Sequence, residues 1–128
     1  MRALLLALVA TPALSQDGFF QTPSGNMHCY GGPDVVDCEI VESDVPPPLA
    51  RPLDCDLEWG ARFAVGPTGP GDMVCYGDTV RSPGSPVLAY GDQAKFGQVT
   101  CLSTEAGLEC ANPDGGGFFI SHRGQRVF

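Results

Sequence analysis

Six cysteines constrain this chain more than any other feature: Cys29, Cys38, Cys55, Cys75, Cys101 and Cys110, in 128 residues that also hold 17 Gly and 12 Pro. The Gly and Pro residues are clustered. Pro46-Pro47-Pro48, Gly66 to Gly71, Ser82 to Pro86 and Asp114 to Gly117 each break a helix and favour a turn. Between the clusters lie short runs with strand character. In Leu57–Val65, LEWGARFAV, the residues Leu57, Trp59, Ala61, Phe63 and Val65 fall on one face of a period-two pattern. Met73–Tyr76, Val87–Tyr90, Gln98–Leu102, Gly107–Cys110 and Phe118–Ser121 read the same way. A single helical turn fits only near Asp54–Glu58 or Asp92–Phe96. The expected fold is all-β: a small antiparallel domain of short strands and hairpins, stapled by three disulfides.

Spacing selects the pairs. Gly25-Asn26-Met27-His28-Cys29-Tyr30 is echoed by Gly71-Asp72-Met73-Val74-Cys75-Tyr76 and by Gly97-Gln98-Val99-Thr100-Cys101-Leu102. In the first and third copies a second cysteine follows nine residues on, with turn residues between. Two strands joined by such a turn set their cysteines opposite each other, where Cα atoms at non-hydrogen-bonded sites come within disulfide range. Cys29 is therefore expected to bond Cys38, and Cys101 to bond Cys110. Elimination leaves Cys55 with Cys75. The echo is also consistent with duplicated hairpins.

The first residues, MRALLLALVATPALSQ, place Arg2 before an apolar run and small residues at Ala13 and Ser15. That is the layout of a secretory signal peptide over residues 1–15, leaving residues 16–128 as one domain. The run is too short to span a bilayer, and no later stretch is apolar enough to do so. An exported chain meets an oxidising compartment, which agrees with an even number of cysteines. The expected location is periplasmic or secreted. Seven Lys and Arg stand against fifteen Asp and Glu, a net charge of −8. Residues 16–58 carry nine acids and one base, Arg51; residues 59–128 carry six acids and five bases. Such a surface repels nucleic acid and anionic lipid and suits a cationic partner.

The sequence assigns no catalytic residue, no metal and no cofactor. The chain has two histidines, His28 and His122. His28 adjoins Cys29, but strand alternation turns neighbours to opposite faces, and a cysteine in a disulfide is no nucleophile. Ser121 and His122 diverge for the same reason. Ser24 lies in Thr22-Pro23-Ser24-Gly25-Asn26, a turn sequence. The cysteine spacings are not those of a zinc ribbon. Asp54-Cys55-Asp56-Leu57-Glu58 and Asn112-Pro113-Asp114-Gly115 are weak calcium candidates that read first as solvated acids and a turn. Aromatic residues between turns, Trp59, Tyr30, Tyr76 and Tyr90, are the candidate contacts for a protein or glycan of the cell envelope.

The ordered series of motifs resembles a known family. Phe20-Gln21-Thr22-Pro23-Ser24-Gly25-Asn26-Met27-His28-Cys29 is similar to an F-x-S/T-P-S-G-N-x-x-C pattern. It is followed by Trp59-Gly60, Gly77-Asp78-Thr79, Tyr90-Gly91, Cys101-Leu102-Ser103, Gly107-Leu108-Glu109-Cys110-Ala111-Asn112 and Gly117-Phe118. Together these resemble a family of small secreted bacterial proteins carrying a Cys-rich domain of unknown function. The resemblance implies export and disulfides, and no activity. The family's glycine-rich stretch often reads G-H-G-F; Gly115-Gly116-Gly117-Phe118 lacks that histidine. The reading is thus a non-catalytic binding or envelope-associated module, with a small secreted hydrolase as the alternative.

Overall fold

The computed structural model describes residues 17–128; the expected leader, residues 1–15, lies outside the described residues. Two five-stranded antiparallel meanders follow one another along the chain. The first is β1 (Gly18–Gln21), β2 (Met27–Gly31), β3 (Val36–Ile40), β4 (Arg62–Val65) and β5 (Asp72–Met73). The second is β6 (Gln93–Phe96), β7 (Val99–Thr104), β8 (Gly107–Ala111), β9 (Gly117–Ser121) and β10 (Gly124–Val127). The described residues contain no helix. Each sheet turns its apolar face to the other and closes one shared core, the arrangement of a sandwich.

Each sheet is built around a disulfide. Cys29 pairs in register with Cys38, and Cys101 with Cys110. Their Cα atoms are 4.1 Å and 4.0 Å apart, as at non-hydrogen-bonded sites, and all four sulfurs are bonded and fully buried. Beyond the second cysteine stands a phenylalanine in both sheets: Cys38 opposite Phe63, Cys110 opposite Phe118. Those two rings meet across the core with centroids 6.0 Å apart, and Phe20 stacks on Phe96 at 5.3 Å. The first and third copies of the sequence echo are therefore equivalent hairpins, one per sheet. The middle copy is not: Asp72 and Met73 form a short edge strand, and Cys75 bonds Cys55 outside both sheets.

Several elements differ from the sequence reading. The Leu57–Val65 strand is only Arg62–Val65, because Gly60 takes φ +111° and breaks the extended chain. Before it, Glu58 makes one isolated bridge to Tyr76, and Leu57 is 55% exposed rather than buried. Val87–Tyr90 is not a strand; Val87 bridges Gln21, and Tyr90 lies in a turn. The helical turn expected near Asp92–Phe96 is instead β6, with Ala94 and Phe96 buried and Gln93 and Lys95 exposed. Around Asp54–Glu58 the chain makes a turn at Leu53-Asp54, closed by a Cys55 N–H donating to Pro52 O at 3.1 Å, and no helix.

One end of the sandwich is sealed by backbone contacts between loops of the two sheets. Gly97 (φ +58°) opens the two-residue β6–β7 turn, and a Cβ there would lie 2.2 Å from the carbonyl oxygen of Pro33 in the β2–β3 turn. A Cβ on Gly116 would lie 1.8 Å from Gly69 O. Asn112, buried beside this seam, satisfies its whole amide. Its Oδ1 accepts from Asp114 N and Gly116 N, and its Nδ2 donates to Gly66 O (3.0 Å) and Gly69 O (2.8 Å). Because Asn112 aims its amide N–H groups at those two carbonyls, it pins two loops together.

Gly116→Ala is expected to destabilise by at least about 2 kcal/mol, since the atoms it meets are backbone and cannot rotate away. Gly84→Ala, where nothing lies within 4 Å and φ is ordinary, is expected to be neutral within about 0.5 kcal/mol. Urea unfolding of the two variants checks the contrast.

Candidate functional site

The opposite end of the sandwich is open. A cleft of about 520 Å³ lies there between the sheets. Sheet one contributes the β1–β2 turn, with Ser24, Gly25 and Asn26, and Glu42 just after β3; sheet two contributes Glu105 in the β7–β8 turn and Ser121 and His122 at the end of β9. Tyr90, 46% exposed, completes the wall. Glu42 and Glu105 each lack a cationic partner within salt-bridge distance among the described residues, whereas Asp44 receives His122 Nε2 at 2.9 Å. The backbone reinforces that contact, Asp44 N donating to His122 O at 2.8 Å.

The cleft's hydroxyls are committed to their own turns. Ser24 Oγ accepts from Asn26 N at 3.2 Å and lies 3.4 Å from Thr22 Oγ1. Ser121 Oγ donates to Gly124 O and accepts from Gly124 N. Neither hydroxyl is hydrogen-bonded to a histidine, which an activated nucleophile requires. His28 does not itself line this cleft, and both its ring nitrogens are engaged. Its Nε2 meets Gly25 O at 3.0 Å, and its Nδ1 faces the Ser82 N–H at 3.4 Å. A donor at Nε2 and an acceptor at Nδ1 satisfy both partners.

His28 belongs to a polar row across the outer face of the first sheet. Gln21, His28, Glu39 and Arg62 are consecutive cross-strand partners on β1 to β4. Each holds the segment that lies over them. Gln21 Nε2 donates to Pro83 O and Ser85 O, and Glu39 accepts from Thr79 Oγ1 and Arg81 Nε. Arg62 donates through one terminal nitrogen to Asp78 O at 2.7 Å, and through Nε to Asp37 at 2.5 Å. A buried ion network of this kind needs every member satisfied. Beside it, Glu39, Tyr76, Thr79 and Arg81 line a smaller hollow of about 380 Å³.

The four aromatic candidates do not converge. Only Tyr90 lines the open cleft. Tyr30 packs edge-on against Phe19 on the outer face, centroids 5.0 Å apart. Tyr76 lies under the Arg62 guanidinium, 5.1 Å from its ring centroid. Burial, and behind it Glu39 and Glu58, push the Tyr76 phenol above its ordinary range. Trp59 is half-buried and donates its indole N–H to Leu49 O at 3.0 Å. Among the described residues no group of three or more His, Cys, Asp or Glu is placed to hold a metal ion. No motif marks Glu42 or Glu105 in the sequence, and Asn26 reads there as a turn residue. They are separated along the chain, and only the two-sheet topology brings them to one end.

Burial raises the Asp37 carboxyl above the ordinary carboxylate range, outweighing the pull of Arg62, and Glu39 adds to the rise. A raised acid pKa means the folded state holds the proton longer than the unfolded chain. This group's stabilising contribution is therefore complete below the unfolded pKa and is lost as pH rises through the folded one. Asp37→Asn keeps an acceptor for Arg62 and abolishes the titration. From about pH 3 to about pH 6, the unfolding free energy of the variant relative to the parent is expected to rise. Paired denaturant titrations across that range check the direction.

The whole chain, residues 1–128, matches the family described as Family of unknown function (DUF6636). No curated protein and no solved structure matches it. The two cross-braced meanders, sealed at one end and open at the other, are thus the structure of a chain that belongs to this family of unknown function.

Proposed function

We propose that the protein is an exported, non-catalytic binding module that docks a cationic protein partner at the open end of its sandwich. The observation that carries this reading is the placement of Glu42 and Glu105. They come from opposite sheets, line one cleft with Tyr90, and have no cationic partner among the described residues. A Lys or Arg side chain entering there would meet carboxylates and an aromatic ring, and a cation–π contact is worth about 0.5–2 kcal/mol. The nine acids against one base in residues 16–58 would steer such a partner from a distance. Export is supported by the leader-like residues 1–15 and by three disulfides, which persist in oxidising compartments. No helix among the described residues is long and apolar enough to cross a membrane.

A second reading, a small secreted hydrolase, is favoured by one observation, the His122–Asp44 pair at the rim of the same cleft. The turn-bound hydroxyls of Ser24 and Ser121 weigh against it.

Calorimetric titration with cytochrome c and lysozyme, both basic, tests the first reading. Binding is expected at about 20 mM salt, and it should weaken steeply at about 200 mM, where exposed charges are screened. A Glu42→Gln, Glu105→Gln, Tyr90→Ala triple variant is expected to bind at least about 10-fold more weakly. Absence of binding at low salt, or equal binding by the variant, would rule the reading out. Turnover of a small ester that disappears in His122→Asn would establish the hydrolase instead.

A further inference from the structure

From Pro46 to Glu58 every residue is exposed except Cys55. Leu53 is 105% exposed, so its side chain touches nothing that shields it, and Leu49 and Leu57 are also exposed. Single exposed apolar residues are ordinary on a protein surface. This segment differs in being held. Pro46, Pro47, Pro48 and Pro52 stiffen it. The Pro47 ring lies against Gly60, where a Cβ would come within 2.9 Å of it. The Trp59 indole fixes Leu49 O, and the Arg51 guanidinium donates to Leu57 O across the base. At the tip, the Cys55 N–H closes a turn onto Pro52 O, and Cys55 is anchored to Cys75. Asp54, Asp56 and Glu58 flank the leucines, and none is in an ion pair among the described residues.

We propose that residues 46–58 are an inhibitory docking loop, whose Leu53 fills the apolar primary pocket of a net-basic secreted endopeptidase. A loop already ordered in the free protein loses little freedom on binding, so the buried leucine contributes to affinity. Pockets of this class select one projecting side chain. The Cys55–Cys75 bond two residues past Leu53 and the turn onto Pro52 O hold the two sides of the Leu53–Asp54 bond together. A cut there would leave the new ends in place to re-form the peptide bond, so the loop occupies the enzyme and is turned over slowly. Asp54, Asp56 and Glu58 match the positive surface of the enzyme. None of these residues lines the open cleft, so this surface is independent of the cleft's binding role.

The test is inhibition of subtilisin and of chymotrypsin, both net basic with apolar primary pockets, by the whole protein. Hydrolysis of a small chromogenic peptide is followed, with trypsin, whose pocket takes a basic side chain, as control. Inhibition of at least one apolar-pocket enzyme is expected, with trypsin spared. Leu53→Asp should weaken inhibition at least about 10-fold, the equivalent of losing one buried leucine. Its thermal midpoint should not move, because Leu53 contributes nothing to the core. The Glu42→Gln, Glu105→Gln variant should inhibit as the parent does, so failure of the cleft reading leaves this result standing. No inhibition of either enzyme, equal inhibition by Leu53→Asp, or rapid cleavage after Leu53 would each overturn the proposal.

Discussion

Two buried disulfides, each joining directly opposed residues of neighbouring strands, are the constraint on which the rest of this fold depends. The strands are short, from two to six residues, and the chain's 17 Gly and 12 Pro leave little side-chain area to bury. Such a chain gives up much backbone entropy on folding. Each bridge closes a nine-residue separation and is worth roughly 2–3 kcal/mol on a chain-entropy estimate. The bridges also fix register. A one-residue slip would turn every core side chain to the wrong face, and the Cys29–Cys38 and Cys101–Cys110 bonds forbid it. With register set, Phe63 and Phe118 stand beside the two bridges and meet across the core.

The same meander in both sheets gives the molecule two unlike ends. At one, glycines let the β2–β3 and β6–β7 turns, and the β4–β5 and β8–β9 loops, touch backbone to backbone, and Asn112 locks the second pair. At the other, polar turns carry Glu42, Glu105 and Tyr90 around an open cleft. The first sheet is further covered by the 78–86 segment, held by one polar side chain from each of four strands. That cover accounts for His28: its place beside Cys29 is a matter of strand register, and its ring tethers the cover.

Much of this was legible in the residues. Gly and Pro clusters exclude helices, the alternation in Phe118–Ser121 gives a strand, and a nine-residue cysteine spacing across a turn suffices to set two strands opposite each other. What was not legible has physical reasons. Alternation in Leu57–Val65 reads as one long strand, but Gly60 takes a positive φ and leaves Leu57 in solvent. Asp92–Phe96 has the composition of a helical turn, yet burial of Ala94 and Phe96 against the other sheet overrides it. Glu39 and Arg62 occupy outward positions, where a polar residue ordinarily meets water. Only the return of the chain some forty residues after Glu39 buries them. The cleft has no sequence signature, because its walls come from five separated segments.

The fold stands on the covalent pairing. Peptide mapping of the oxidised protein under non-reducing conditions tests it most directly. Three linked pairs are predicted, Cys29 with Cys38, Cys55 with Cys75 and Cys101 with Cys110, with no thiol reactive to alkylation in the folded or unfolded state. A bridge between the two sheets, such as one joining Cys29 or Cys38 to Cys101 or Cys110, or free thiols in the oxidised protein, would contradict it.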